Sequence, residues 1–131
     1  MDDGLTADAF GRALRDHHRG ERTDPLWQCD GPERRKHPIE EFYFGEYDPT
    51  SPRGEWTASR LDGPLVDLGA GAGRDALYFQ ERFETVAVEA SPALVETMRE
   101  RGVADAREGD LFDLRSAFDR DRFASALVYG T

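Results

Sequence analysis

Leu65-Val66-Asp67-Leu68-Gly69-Ala70-Gly71-Ala72-Gly73-Arg74 decides how the chain is read. It opens with a short apolar run interrupted by one carboxylate, the length of a buried strand. Glycines follow at alternate positions, and residues 74–83 then mix polar and apolar side chains as a helix does. A strand that turns through glycines into a helix start offers bare backbone and free N–H groups, an arrangement suited to a nucleotide.

Downstream the pattern is regular. Thr85-Val86-Ala87-Val88-Glu89 is β-branched and ends in a carboxylate, which predicts a second strand. Ser91 caps and Pro92 begins a second helix with Leu94, Val95 and Met98 on its inner face, and Gly102 ends it. Residues 103–107 predict a third strand with Glu108-Gly109-Asp110 as the loop at its end, 111–118 a short crossover, and 123–129 a strongly apolar fourth strand. Alternating strands and helices give right-handed crossovers and a parallel sheet, whose ligands bind outside the carboxyl ends of the strands. Those ends carry Asp67 with its glycine turn, Glu89, Asp110 and Gly130-Thr131. Independent solvated charges have no reason to fall at consecutive strand ends, so these residues form one candidate constellation.

Upstream, residues 6–19 show helical spacing at Ala9, Phe10, Ala13 and Leu14, with Thr6 as the expected N-cap and Gly20 as the stop. His17 and His18 fall in the last turn, where they read as solvated helix-end side chains; adjacent histidines face different ways, and no metal site is expected from them with His37. Residues 21–38, with Pro25, Gly31, Pro32 and the basic run Arg34-Arg35-Lys36, read as a loop, with Trp27 as a local packing anchor. Phe42, Tyr43, Phe44 and Tyr47 then form an aromatic block expected to lie across the main domain, as a lid over the ligand pocket or a cap on the sheet. A short helix is expected over 56–61. The division is therefore an N-terminal helical and loop extension over 1–60, packing on or capping the site, and a nucleotide-binding unit over 61–131.

Length and charge bound the function. The 131 residues make one modest domain, without the ~20 consecutive apolar residues of a membrane helix. The start, Met1-Asp2-Asp3-Gly4, has no signal-peptide pattern, and Cys29 stands alone, which predicts a reducing, cytoplasmic setting. Twenty-seven acidic residues against seventeen basic give a net charge of −10, and Lys36 is the single lysine. That charge disfavours general nucleic-acid binding. It suits a salt-adapted, haloarchaeal source, although a GC-rich genome also favours arginine over lysine.

The glycines alone admit two registers. From Gly71 the loop satisfies G-x-G-x-x-A, a dinucleotide fingerprint that makes a nicotinamide-dependent oxidoreductase the rival reading. That fingerprint wants its first glycine immediately after the strand, which here is Gly69; in the Gly69 register Arg74 then occupies the third small position, where close helix packing excludes it. Residues 66–73 resemble motif I of the class I S-adenosylmethionine-dependent methyltransferases. Val86-Ala87-Val88-Glu89-Ala90-Ser91-Pro92 resembles their second strand and following helix, and Glu108-Gly109-Asp110-Leu111-Phe112 their adenine-binding loop.

The resemblance implies S-adenosyl-L-methionine as cofactor, held by Asp67, Gly69, Ala70, Gly71, Gly73, Glu89, Ala90, Asp110 and Leu111. By the same resemblance the glycines admit the methionyl and ribose part and Asp67 orients the methionine end. Glu89 takes both ribose hydroxyls, and Asp110 takes the adenine amino group beside Leu111. It implies methyl transfer to a small-molecule acceptor, with no metal and no catalytic residue identifiable here. The fold implied is a Rossmann-like α/β parallel sheet with flanking helices. About four of the family's seven strands are present, as in an N-terminal portion that by itself is inactive. The fourth strand is then an exposed edge open to self-association or to pairing with another chain.

Overall fold

The computed structural model describes residues 8–21, 27–30, 32–36 and 44–128. The elements are α1 (Ala9–Arg19), β1 (Trp27–Asp30), β2 (Glu33–Lys36), α2 (Pro52–Arg60), β3 (Leu65–Leu68), α3 (Arg74–Phe79), β4 (Thr85–Glu89), α4 (Pro92–Arg101), β5 (Ala106–Glu108), α5 (Leu114–Ala117) and β6 (Ser125–Val128). β3 to β6 form a parallel four-stranded sheet in the order β5-β4-β3-β6. The strand bearing the glycine turn is therefore central, between β4 and β6, and the sheet is parallel as strand–helix alternation predicts.

Local chemistry sets the element ends. Ser91 accepts a hydrogen bond from the Leu94 N–H (3.2 Å), and Pro92 occupies the first helical turn of α4. At the other end Gly102 adopts φ +104°, and the N–H groups of Gly102 and Val103 bond the carbonyls of Arg99 and Met98. This is a Schellman closure, with Val103 packing beside Met98 in the core. It also corrects one expectation. Val103 belongs to the helix cap, so β5 begins at Ala106 rather than at 103.

Other boundaries shift for similar reasons. α3 stops at Phe79 instead of 83, and Gln80 bridges to the next loop, donating to the Gly102 carbonyl and accepting from the Ala104 N–H. α2 begins earlier than 56, at Pro52, because the Ser51 hydroxyl accepts from the Gly54 N–H and fixes the first turn. The N-cap of α1 is Asp8, while Thr6 lies outside the described residues. Within the span read as a loop, β1 and β2 pair antiparallel from Trp27↔Lys36 to Asp30↔Glu33. The span is thus a paired hairpin rather than a loop alone. The Trp27 side chain, His37, Phe42, Tyr43 and 129–131 lie outside the described residues, and with them the Gly130-Thr131 strand end.

The sheet is covered on both faces. Ala76, Ala87, Val95, Met98, Val103 and Ala106 form one core cluster under α3 and α4; Val66, Val86 and Val88 line the opposite face, against Leu114, Phe118 and Phe123. A fully buried valine or leucine contributes roughly 1.5–3 kcal/mol, so these strands rather than loop contacts hold the site's scaffold. The N-terminal segment docks on this unit. Leu14 of α1 is fully buried against Ala72 and Leu94, and Tyr47 stacks on Tyr78 at 4.3 Å between ring centroids. His17 and His18 are half-buried, and both rings lie against Phe44, in place of the solvated arrangement expected.

Gly73 joins the sheet to α3 at close quarters. Its φ is +88°, and a Cβ there would sit 2.8 Å from Val103 Cγ2 and 2.9 Å from Met98 Cγ. Both the strain and the collision oppose any side chain. Gly73→Ala is expected to lower stability by about 1–3 kcal/mol from the backbone alone, read from urea denaturation monitored by circular dichroism.

Candidate functional site

Glu89 stands at the carboxyl end of β4 and is the hub of the constellation. Its Oε1 accepts the Gly71 N–H at 3.0 Å, and its Oε2 accepts the Ser91 N–H at 3.0 Å. A carboxylate has about four acceptor positions. Two are filled by backbone, which aims the group and, among the described residues, leaves one free position on each oxygen. Two donors on adjacent atoms, such as a vicinal diol, match what remains.

The glycine turn is pinned to the same strand. The Gly69 and Ala70 N–H groups both approach the Val88 carbonyl, at 2.8 and 3.2 Å, and Gly73 N–H bonds the Ala70 carbonyl. Arg101 of α4 donates to the Ala72 carbonyl at 2.6 Å while its guanidinium lies over the Phe44 ring. β3 ends at Leu68, so Gly69 is the first residue past the strand. Close helix approach falls at Gly73, and Arg74 turns aside to pair with Asp75 at 3.1 Å. The loop is therefore G-x-G-x-G in shape, without the third small position of the dinucleotide motif.

Asp67 lies on the same face of β3 as Leu65 and is only 3% exposed. Burial is the main reason its carboxyl is pushed up to about 8, with Asp75 and Glu89 adding like-charge repulsion and Arg74 partly offsetting them. It is a neutral acid at pH 7, set between the glycine turn and the first turn of α3. No hydrogen bond to it is found among the described residues. That environment differs from the helix-dipole partnership that a carboxylate before a helix would suggest.

Asp110 is placed differently. It is exposed, and its Oδ1 accepts the Phe112 N–H at 2.8 Å in a side-chain turn. Its loop is held to the hub by the Gly109 N–H, which donates to the Glu89 carbonyl at 3.1 Å. Leu111 is half-buried and Ala90 exposed beside it. The structure thus brings Gly69, Ala70, Gly71, Glu89 and Ala90 together directly, with Asp67 behind them and Asp110 and Leu111 on an adjoining loop.

Two features escaped the sequence. Ser91 serves the site through its backbone as well as capping α4, a role that its spacing of two from Glu89 hints at. A cavity of about 240 Å³ lies between the 46–57 segment and α3, lined by Tyr47, Asp48, Arg53, Thr57, Arg74 and Asp75. Nothing in the local pattern marked it. Among the described residues there is no group of three or more metal-ligating side chains, and no helix is long and apolar enough to cross a membrane.

No protein-family model matches the chain, and no curated protein matches it. Among solved structures it is similar to a SAM-dependent methyltransferase from Bacteroides fragilis, crystallised in complex with S-adenosyl-L-homocysteine. Identity is 34% and the TM-score 0.64, over 80% of this chain and 44% of that one. The chain has part of the Rossmann-like methyltransferase fold. A second structure, from work on the conversion of a disulfide bond into a thioacetal group during echinomycin biosynthesis, shares the fold at 20% identity. Its TM-score is 0.52, over 92% of this chain and 47% of that one. The chain spans less than half the length of either neighbour.

The buried acid has a measurable consequence. Asp67 takes up its proton near pH 4 when unfolded and near 8 when folded, so the folded state holds more protons between those values. Its contribution to stability is present below about pH 4 and is lost as pH rises toward 8. Asp67→Asn removes that dependence. The variant is expected to gain on the wild type steadily from pH 4 to pH 8 in urea denaturation; a pH-independent difference counts against a neutral Asp67.

Proposed function

We propose that the chain is the cofactor-binding portion of an S-adenosylmethionine-dependent methyltransferase acting on a small-molecule acceptor. The observation that carries this is Glu89, fixed by the Gly71 and Ser91 N–H groups with one acceptor position free on each oxygen. The neighbour at 34% identity, itself complexed with S-adenosyl-L-homocysteine, supports the choice of ligand. So does the G-x-G-x-G form of the turn.

In this reading the two ribose hydroxyls donate to Glu89, and Gly69, Ala70 and Gly71 leave room for the ligand, whereas Gly73, packed against Met98 and Val103, serves the approach of α4 instead of the ligand contact the resemblance implies. Asp67 faces the ammonium of the methionyl end, where a neighbouring cation favours its ionised form. Asp110 has Oδ2 free, among the described residues, for the adenine amino group, beside Leu111 and Ala90. The 46–57 segment caps this end of the sheet, since its cavity borders Arg74 and Asp75 immediately after the turn.

A bound sulfonium supplies a methyl group already activated for displacement. The protein's part is to hold the acceptor in line with the sulfur–methyl bond and keep the ribose and methionyl ends still, which is where most of the acceleration in such a transfer arises.

Calorimetric titration tests the reading. S-Adenosyl-L-homocysteine is expected to bind, NADH is not, and Glu89→Ala is expected to weaken binding more than tenfold, because hydrogen bonds to a charged acceptor are worth ~1.5–3 kcal/mol each. Tight NADH binding without a response to S-adenosyl-L-homocysteine would return the oxidoreductase reading. Unchanged affinity in Glu89→Ala would remove the ribose site from β4.

A further inference from the structure

The first turn of α1 breaks two local rules at one contact. Asp8 holds the N-cap position, where an aspartate ordinarily accepts an N–H of its own helix and contributes ~1 kcal/mol. It makes no such bond. Instead both of its carboxylate oxygens lie within hydrogen-bond distance of Ser91 Oγ, at 2.9 and 2.8 Å, 83 residues away in sequence. Three residues on, Gly11 sits buried inside the helix, a choice that costs roughly 0.5–1 kcal/mol relative to alanine. A Cβ at that position would stand 2.2 Å from Ser91 Oγ and 2.4 Å from Asp8 Oδ1. The glycine is thus the opening through which Asp8 reaches Ser91. Two sacrifices in one helical turn serve a single contact, and departures of this kind concentrate at functional positions.

Ser91 is the residue whose N–H holds Glu89 Oε2. Its hydroxyl oxygen accepts the Leu94 N–H, and its one hydroxyl proton goes to Asp8. With Asp8 in place, the hydroxyl is locked from two sides, so the Ser91 backbone is fixed and its N–H stays aimed at Glu89. We propose that Asp8 is a positioning residue for Glu89, acting through Ser91, and that α1 thereby sets the affinity of the ribose subsite; this rests on the ribose reading of Glu89 given above. The salt bridges of Arg15 and Arg19 to Glu96 and Glu100 lie along the same α1–α4 seam and hold the two helices in the alignment this contact needs.

Titration of the full chain with S-adenosyl-L-homocysteine, and with its 2′,3′-dideoxy analogue, tests this. Asp8→Ala is expected to weaken S-adenosyl-L-homocysteine binding roughly three- to tenfold, the size of a charge-assisted hydrogen bond loosened rather than removed. The dideoxy analogue, which cannot donate to Glu89, binds wild type and variant alike. Gly11→Ala reproduces the loss, whereas Asp8→Asn, which keeps an oxygen for the Ser91 hydroxyl, restores affinity. In a Glu89→Ala background Asp8→Ala has no further effect on binding, even where thermal melting shows a loss of stability. An equal loss with the dideoxy analogue, or additivity with Glu89→Ala, would overturn the positioning role and leave Asp8 purely structural. A Glu89 effect without an Asp8 effect overturns the role alone, while full affinity in Glu89→Ala overturns the ribose reading and the role with it.

Discussion

Glu89 receives one hydrogen bond from the glycine turn that follows β3 and another from the residue that caps α4. Those two bonds couple three pieces of backbone that would otherwise be set independently: the end of a central strand, the turn beside it and the start of the next helix. Each bond to a charged acceptor is stronger than a neutral one, and each terminates at a backbone N–H that cannot be moved without moving its element. The carboxylate is therefore aimed before any ligand arrives. Preorganisation of this kind spares a ligand the ordering cost that a free side chain would impose. The rest of the site is arranged around this group. Gly109 bonds its carbonyl, Asp67 lies within range of its charge, and the turn wraps over its first oxygen.

Asp67 shows the opposite use of a carboxyl. Glu89 is half-buried and hydrogen-bonded, while Asp67 is almost fully buried among like charges and is held neutral. Two acids beside the same turn, one near it in sequence and the other bonded to it from the next strand, thus have separate characters set by environment, one a ready acceptor and the other a proton-bearing group that a neighbouring cation would ionise. The protein's net charge of −10 deepens this contrast, because a strongly negative field opposes adding another buried charge. Keeping an unpartnered acid inside the fold lowers stability at neutral pH. Its position beneath the glycine turn is the place where a ligand, rather than the protein, can supply the missing partner.

What the sequence disclosed followed the range of the interactions. Ser91, Pro92 and Gly102 mark α4 by rules spanning four or five residues, and the helix has those bounds. The parallel direction of the strands followed from strand–helix alternation, whose crossover handedness is nearly fixed. The constellation was legible because strand ends in a parallel sheet share one edge. The β1–β2 hairpin was missed because residues 27–36 carry no hydrophobic alternation, and pairing there overrides weak propensity. The Asp8–Ser91 and Arg101–Ala72 contacts span 83 and 29 residues, and no local pattern encodes them. Asp110 was legible as a loop acid, but its turn geometry gives it a local partner that spacing did not reveal.

The sheet order also separates the Glu89 hub from the β6 edge. Among the described residues, the bonds made directly to Glu89 beyond the strand ladder come from Gly71, Ser91 and Gly109, none of them on β6. On the other side of the central strand, β6 pairs only with β3 among the described strands, Val128 is 58% exposed, and a hollow of about 450 Å³ is lined by Leu114, Phe118 and Phe123 together with charged residues such as Arg115 and Asp119. An open strand edge is a surface that proteins ordinarily pair or cover. This one shares no residue with the bonds to Glu89, in a chain spanning less than half the length of its structural neighbours. Covering it therefore alters what borders the fourth strand without disturbing the bonds that aim Glu89. In the proposed reading the cofactor end of the reaction is built into the central strands, independently of what borders the β6 edge.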